Sequence, residues 1–263
     1  MGMTIQQAID KIIASVPGAP YPDTVDTVKI GDPTQEVSGI VVTFLINCEV
    51  IDQAIQLGAN FIITHEPTFY NHRDEVSWLR DDAVYNAKRQ RLEAKDLVIW
   101  RFHDYLHSLQ PDSTFVGLLK ELGWETYSFT GQLHRCHIPP ISLRELVHLI
   151  KGKLGIQTLR VVGDLEATCE YIGLLPGFPG PEMQIGTLGH SPMDVLITGE
   201  IHEWETSEYA RDAGYLKHPK GLIILGHAAS EEPGMKWIVP WIQERLPGIP
   251  LHFVSTRNPF HYL

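Results

Sequence analysis

The chain has 263 residues, of which 43% are hydrophobic and 20% charged, a balance typical of a globular protein with a buried core. Its 32 acidic and 21 basic residues give a formal net charge of -11. A broad nucleic-acid-binding face needs clustered Lys and Arg, so we expect no nucleic-acid partner. A bound metal could still attract a small anionic substrate.

The first half of the chain alternates between segments of helical periodicity and short apolar runs typical of strands. The N-terminal helix places Ile5, Ile9 and Ile12 on one face, and Gly58 follows the second helix as a left-handed cap. In chain order we predict this N-terminal helix, strands over residues 24–30 and 37–45, a helix over 47–57, a strand over 60–64, a helix over 78–93 and a strand over 96–102.

The second half continues the alternation. Glycine and proline are so dense in residues 176–182 that we predict no regular structure there. Pro233 suits the first turn of a helix that begins just before it. The remaining elements are predicted as helices over residues 115–122 and 143–154, strands over 158–162, 170–175 and 194–198, a helix ending near 213, and a strand over 221–225.

Alternating strands and helices predict an α/β fold with mostly parallel sheets. Gly123, Gly131 and the pair Pro139-Pro140 cluster between residues 123 and 140, which suggests a boundary between two lobes. We place the lobes at residues 1–125 and 126–263, with a single two-lobed domain as the alternative.

The three cysteines, Cys48, Cys136 and Cys169, are far apart, which argues against a disulfide framework or a thiolate zinc knuckle. The N-terminus lacks the features of a signal peptide, and Gln6 stands where a myristoylation signal requires Ser or Thr. No stretch reaches the roughly 18 apolar residues that a membrane span needs. We expect a cytoplasmic protein.

Three clusters of potential metal ligands each follow a predicted buried strand, and ligands of open α/β sheets gather at such strand ends. His65 and Glu66 follow the strand over residues 60–64. Neighbours on an extended chain point to opposite sides, so this pair is better placed to serve two ions than to chelate one. A buried histidine paired with the adjacent glutamate is the alternative.

The second cluster, His103, Asp104 and His107, holds three potential ligands within five residues, of which we expect at least one to face solvent. In the third cluster, His227 and Glu231 are four residues apart and would share one face of a helix. Imidazole and carboxylate at this spacing commonly chelate zinc, manganese or iron. A glutamate that stabilises the helix dipole is the alternative.

Other polar residues have weaker claims. His202, beside Glu200 and Glu203, is a candidate general acid or base or an orienting partner, and an ordinary surface histidine is the alternative. His72 is either a substrate contact or a loop histidine without a role. Ser230 has no Gly-x-Ser-x-Gly context that would mark a nucleophile.

The order of these motifs resembles the Nif-three-like dinuclear-metal family over nearly the whole chain. The resemblance implies two α/β lobes with mixed, mostly parallel sheets and a metal site between them. The segments that carry it are 62–67, similar to an apolar strand followed by Thr-His-His-Pro; 197–200, similar to Thr-Gly-Asp; 226–231, similar to Gly-His-x-x-[Ser/Thr]-Glu; and the ending 258–260.

Two departures from the family pattern suggest how the ions would be shared. Glu66 replaces the second of two adjacent histidines, and His107 replaces an aspartate. If both positions ligate the same ion, that ion keeps one imidazole and one carboxylate. We hypothesise that His65 and His227 hold one ion and that Glu66 and His107 hold the other, with Glu231 bridging and with Asp104 and His103 as alternatives.

The resemblance also implies an activity. Two divalent ions roughly 3.5–4 Å apart activate a water for attack on a phosphoryl, amide or amidine centre. The family's candidate reaction is opening of a nucleotide or pterin ring, as in a GTP cyclohydrolase I type 2-like enzyme, within a ring-shaped homo-hexamer. Five ligands for two ions leave open positions, which favours a hydrolase with a small-molecule substrate over a non-catalytic metal-binding, metal-delivery or interaction protein.

Overall fold

The computed structural model describes residues 2–128, 134–190 and 192–262. The chain divides into two compact units, Met1–Ser113 with Met235–Arg257 and Thr114–Gly234 with Asn258–Leu263. These bounds differ from the predicted lobes because residues 251–253, near the end of the chain, pair with residues 40–42 and so belong to the first unit. Gly131, which contributed to the predicted boundary, lies outside the described residues, and the lobes at 1–125 and 126–263 stay a prediction.

Ten strands within the described residues form two five-stranded sheets. They are β1 (Val28–Ile30), β2 (Ile40–Thr43), β3 (Phe61–Thr64), β4 (Val98–Arg101), β5 (Arg135–Ser142), β6 (Arg160–Val162), β7 (Thr168–Leu175), β8 (Val195–Thr198), β9 (Gly221–Ile224) and β10 (Leu251–Phe253).

Among the described residues, the first helix precedes β1, and the other helices follow or separate the strands along the chain. These helices are α1 (Ile5–Ile13), α2 (Cys48–Gln56), α3 (Ala83–Glu93), α4 (Asp104–His107), α5 (Ser113–Leu122), α6 (Leu143–Leu154), α7 (Pro181–Gly189), α8 (Glu208–Tyr215), α9 (His227–Trp237) and α10 (Val239–Arg245). Two short 3-10 turns, Ser77–Leu79 and Glu125–Tyr127, and a π-helical turn, Glu203–Ser207, complete the set.

The first sheet has the order β1-β4-β3-β2-β10, in which only β1 runs antiparallel to its neighbour. β2, β3 and β4 are buried along their whole length, as expected of strands covered on both faces. Thr64 pairs with Arg101 at the carboxyl ends of β3 and β4. The residues that follow these two strands therefore start side by side.

The second sheet has the order β5-β7-β8-β9-β6, with β7, β8 and β9 parallel and the two edge strands antiparallel. In the register of the parallel strands, Leu175 pairs with Thr198, and Thr198 pairs with Ile224. The loops after β7, β8 and β9 therefore all begin at the same end of the sheet, where the carboxyl ends of these strands lie. The prediction of an α/β fold built from mixed, mostly parallel sheets is confirmed.

Several predicted elements agree closely with the structure. α6 has the predicted bounds, and α1 buries Ile5, Ile9 and Ile12. Asn47 caps α2 by accepting the backbone N–H of Val50, and Gly58 has a φ of 68° just beyond its end. These features depend on local periodicity and capping, which a sequence shows directly.

Other predictions were wrong. Residues 176–180 lack regular structure as predicted, but α7 begins at Pro181, inside the predicted loop, because proline suits a first turn, where the missing N–H costs no hydrogen bond. Pro233 lies inside α9, which already begins at His227. The helix predicted from residue 78 begins at Ala83. Five of the labelled helices and strands were not predicted: α4, α7, α10, β10 and β5, an edge strand whose two prolines coincide with a break in register.

The described helices include none with the length and apolar composition needed to cross a bilayer.

Candidate metal centre

His65 lies directly after β3, with its side chain fully buried. Its Nδ1 is 3.2 Å from the carbonyl oxygen of Phe102, which follows the neighbouring strand β4. A carbonyl oxygen only accepts hydrogen bonds, so Nδ1 carries the proton and donates it. This contact makes Nε2 the nitrogen with a lone pair that could bind a metal ion.

The next two histidines are His103, the N-cap of the short helix α4, and His107, its last residue, and a buried aspartate holds the first turn of this helix. The carboxylate of Asp26 accepts the backbone N–H groups of His103 at 2.8 Å, Asp104 at 3.1 Å and Tyr105 at 2.8 Å. Burial raises the pKa of Asp26, although these three hydrogen bonds act in the opposite direction. Sequence reasoning missed Asp26, because it caps a helix that begins 78 residues later in the chain.

Each of the two histidines on this segment has a carboxylate against its Nδ1. His103 Nδ1 is 2.9 Å from Asp104 Oδ1, and His107 Nδ1 is 2.9 Å from Asp112 Oδ2. Ionised carboxylates accept, so both imidazoles donate through Nδ1 and present Nε2. Burial, together with the neighbouring imidazoles of His65 and His107, lowers the pKa of His103 to about 4, which keeps its ring neutral near pH 7.

The contacts of Asp104 are those of a positioning residue. Besides His103, its carboxylate accepts the hydroxyl of Thr24 at 2.8 Å and the backbone N–H of Val25 at 3.0 Å. Burial raises the pKa of Asp104, but these hydrogen bonds outweigh it and bring the pKa to about 2. The side chain therefore stays ionised and holds the ring of His103 in place.

His65, His103 and His107, here called the histidine cluster, come together in the first unit. Their ring centroids are 4.7, 5.0 and 4.8 Å apart, and one nitrogen of each lies within 4.8 Å of the other two. A divalent ion is commonly held by neutral imidazoles whose second nitrogen donates to a carbonyl or carboxylate oxygen. All three rings show this arrangement, so the donor set fits a metal ion.

Glu66 lies at the edge of the histidine cluster. Its Oε1 is 3.9 Å from His65 Nε2 and 4.0 Å from His103 Nε2. The expectation that His65 and Glu66 point to opposite sides was wrong, since both residues lie beyond the end of β3, where strict alternation of an extended chain no longer holds. Both side chains face the same group of imidazoles.

Arg101, the last residue of β4, is fully buried and was missed by sequence reasoning. Its Nη2 is 3.5 Å from Glu66 Oε2, its Nε donates to the carbonyl oxygen of His65 at 3.1 Å, and its Nη1 donates to that of His72. The signal was present in the sequence, because a charged residue within a continuous apolar strand needs a partner. Arg101 holds the Glu66 carboxylate and the backbone on both sides of it.

In the second unit, His227 begins α9 directly after β9, and it shares a helix face with Glu231 as predicted. His227 Nε2 is 2.9 Å from Glu231 Oε2, and His227 Nδ1 is 3.3 Å from Glu200 Oε2. A neutral imidazole donates through one nitrogen only, and the contact with Glu231 is the one that has hydrogen-bond geometry. Sequence reasoning named Glu200 as a neighbour of His202 and as the last residue of the Thr-Gly-Asp-like segment 197–200, but not as a candidate ligand.

The His227–Glu231 pair is enclosed by closely packed glycines. A Cβ atom on Gly177 would lie 2.2 Å from Glu231 Oε1, and one on Gly199 would lie 2.4 Å from the hydroxyl of Ser230. The Ser230 hydroxyl accepts the backbone N–H of Gly177 at 2.9 Å and donates to the carbonyl oxygen of His227 at 2.7 Å. These contacts give Ser230 a structural role and fix the almost fully buried Glu231.

His202 lies in the loop after β8. Its Nδ1 is 2.7 Å from Glu205 Oε2, and its ring is stacked on Trp204 at 5.1 Å between centroids. Glu203, its neighbour in the sequence, pairs with Arg160 at 2.6 Å. The ring of the loop histidine His72 is 5.3 Å from that of His103.

The sequence profile of the Duf34/NIF3 (NGG1p interacting factor 3) family matches residues 4–259. The chain belongs to this family. Two relatives share 24% identity with it and are named GTP cyclohydrolase 1 type 2 homolog. The protein from Clostridium perfringens aligns over 89% of both chains, and that from Escherichia coli K12 over 86% of this chain and 87% of its own.

Solved structures of Duf34/NIF3 relatives show the same fold. A Bacillus cereus protein related to NIF3 has a TM-score of 0.79 at 16% identity, and a hypothetical protein of Staphylococcus aureus has a TM-score of 0.78 at 19% identity. Both comparisons cover 100% of each chain. The predicted family resemblance is thus confirmed along the length of the chain.

Proposed function

We propose that this protein binds two divalent metal ions and hydrolyses a nucleotide-like or other small phosphorylated or heterocyclic compound. The observation that carries the proposal is the histidine cluster, in which three imidazoles converge and each Nδ1 faces an oxygen atom. This arrangement leaves three Nε2 atoms as potential ligands. The proposed metal ligands are His65, Glu66, His107, His227 and Glu231, with His103 as a further candidate beside them.

The choice among the second-cluster residues follows from their contacts. Asp104 is already engaged by Thr24, Val25 and His103, which suits a residue that orients an imidazole. His107 is oriented in the same way by Asp112. We therefore place both histidines toward the ion and both aspartates behind them. Imidazole and carboxylate ligands suit zinc, manganese or iron.

When bound, the ions would supply a water of lowered pKa as the nucleophile. The protein's own groups hold the ligands: Arg101 holds the Glu66 carboxylate, and Gly177 permits the close approach of Glu231. His202 donates to Glu205 through Nδ1, so its Nε2 is the atom that could exchange a proton with substrate or leaving group.

The proposed substrate class rests on the relatives named GTP cyclohydrolase 1 type 2 homolog, a name that points to hydrolytic opening of a nucleotide ring. The assembly expected for such a protein is a homo-oligomer, proposed as a hexamer. Sedimentation velocity of the purified protein measures its mass directly, and a monomer would contradict this part of the proposal.

Elemental analysis of purified variants tests the ligand set. Glu231→Ala should lose both ions because Glu231 is proposed to bridge them, and His107→Ala should lose one. His148→Ala, which truncates an exposed histidine on α6, serves as the control and should keep the full metal content. If His107→Ala also keeps it, His107 is not a ligand and Asp104 becomes the candidate.

A screen for nucleotide hydrolase and phosphoesterase activity, run with and without a chelator, tests the catalytic part. Activity should disappear with chelator and return when zinc, manganese or iron is added. Activity that withstands complete metal removal would separate the chemistry from this site. A metal-loaded protein inactive on every substrate would instead favour metal storage or delivery.

A further inference from the structure

Three neighbouring aromatic side chains on the second unit are here called the aromatic stack. The ring of His202 is nearly parallel to that of Trp204, at 5.1 Å between centroids, and is tilted by 50° from that of Phe178, at 4.8 Å. Trp204 is 73% exposed. Single exposed aromatic side chains are common on protein surfaces, and Trp204 differs from them because its indole already lies nearly parallel to the ring of His202.

A buried side chain of α7 makes hydrogen bonds to the segment from Glu200 to Thr206, which carries His202 and Trp204. Gln184, fully buried in α7, donates through Nε2 to the carbonyl oxygen of Glu200 at 2.6 Å and accepts the hydroxyl of Thr206 through Oε1 at 2.7 Å. Trp204 and Thr206 belong to the π-helical turn Glu203–Ser207. Such turns are rare and occur often at functional sites.

The same two loops reach the candidate metal ligands. Phe178 follows Gly177, whose Cα hydrogens face the Glu231 carboxylate. His202 comes two residues after Glu200, whose carboxylate is 3.3 Å from His227 Nδ1. The backbone of Glu200 also donates to the carbonyl oxygen of Gly177 at 2.9 Å, which ties the two loops together. The aromatic stack and the His227–Glu231 pair therefore share one framework.

We propose that Phe178, His202 and Trp204 form a subsite that binds a planar heteroaromatic ring by stacking on the outer face of Trp204. Stacking of a base on an aromatic side chain contributes about 1–3 kcal/mol and tolerates different ring types. This subsite names the substrate class of the proposed hydrolase and to that extent rests on the proposed function. The stacking contact itself requires no metal ion.

The charge around the stack indicates which rings it would prefer. Glu200, Glu203 and Glu205 lie within six residues, and their partners are His227, Arg160 and His202, respectively. Carboxylates only accept hydrogen bonds, so they suit a ring edge that carries N–H donors and repel phosphate groups. Guanine, with adjacent ring N–H and amino groups, meets this requirement, whereas a sugar phosphate without a base does not.

Calorimetric titration with guanosine tests the subsite, with ribose 5-phosphate as the probe that lacks a ring. The full-length protein should bind guanosine. Trp204→Ala should raise the dissociation constant for guanosine about tenfold, and Trp204→Phe should recover most of the affinity. Trp78→Ala removes another indole that is 65% exposed and should bind like the wild type.

Metal content and sedimentation of the same samples separate the two proposals. Weaker guanosine binding by Trp204→Ala at unchanged metal content supports the subsite, and this result would hold even if the metal ions were absent and the hydrolase proposal had failed. Equal binding by Trp204→Ala and wild type overturns the subsite. The subsite is also overturned if the wild-type protein binds ribose 5-phosphate as tightly as guanosine. It is likewise overturned if Trp204→Ala changes the oligomeric state but leaves guanosine binding unchanged.

Discussion

The histidine cluster of the first unit and the His227–Glu231 pair of the second differ in electrostatic character. In the cluster, three imidazoles converge, and each is oriented from behind by an oxygen acceptor. In the pair, one imidazole lies between two carboxylates, so negative charge dominates. A bound cation would add positive charge to the histidine cluster and would neutralise negative charge at the His227–Glu231 pair. We therefore expect different contacts to hold the side chains of the two groups in place.

The contacts differ accordingly. The cluster depends on buried polar side chains, chiefly Arg101 and Asp26, which anchor the segments after β3 and β4, respectively. The pair depends on the absence of side chains, because Gly177 and Gly199 leave room for Glu231 and Ser230. Substitutions in the first group should act through lost hydrogen bonds, whereas those in the second should act through steric conflict.

The largest effect is expected for Arg101→Met. This substitution removes the charge opposite Glu66 and leaves the carbonyl oxygens of His65 and His72 without this donor. Breaking a buried ion pair from one side costs about 3–5 kcal/mol of unfolding free energy. Urea denaturation measures it. Arg89→Met, which removes an exposed partner of Glu93, should cost less than about 1 kcal/mol.

Equal stability losses in the two arginine variants would contradict the view that buried hydrogen bonds hold the cluster.

A smaller but more local effect is expected for Gly177→Ala. Its new Cβ would collide with Glu231 Oε1, so Glu231 must move and the variant should lose metal as well as stability. Gly58→Ala is the matched control, because its φ of 68° is nearly equal to the 67° of Gly177 and no atom lies within 4 Å of its Cβ. Both variants should lose about 1 kcal/mol to backbone strain, and only Gly177→Ala should lose more.

Metal content decides this comparison. If Gly177→Ala retains all its metal while Glu231→Ala does not, the close packing against Glu231 does not position a ligand.

The smallest effect is expected for Asp112→Asn, which keeps the shape of the side chain but removes the charge that faces His107 Nδ1. Loss of such an orienting partner typically weakens metal affinity 10- to 100-fold. Competition with a chromogenic chelator should show roughly a tenfold weaker affinity with unchanged folding. Asp81→Asn makes the same change at an exposed aspartate and should leave the metal affinity unaltered. An equal loss of affinity in Asp81→Asn would refute the orienting role of Asp112.

Local signals determined a large part of this fold. The amphipathic face of α1, the bounds of α6 and the cap of α2 were predicted because each depends on residues within a few positions of one another. The positions of the metal-ligand candidates at strand ends were predicted for the same reason, since a buried apolar run that stops at His65 or before His227 is visible in the sequence. The family followed from the order of these motifs.

Only the tertiary structure decided how those side chains are held. Arg101 finds the carbonyl of His65, 36 residues away, and the hydroxyl of Ser230 meets Gly177 across 53 residues. The pairing of β10 with β2, which places residues 251–253 in the first sheet, is likewise non-local. Sequence periodicity reports which face of an element is buried, but it carries no information about which distant polar atom that face will meet, because such contacts depend on how separate elements pack.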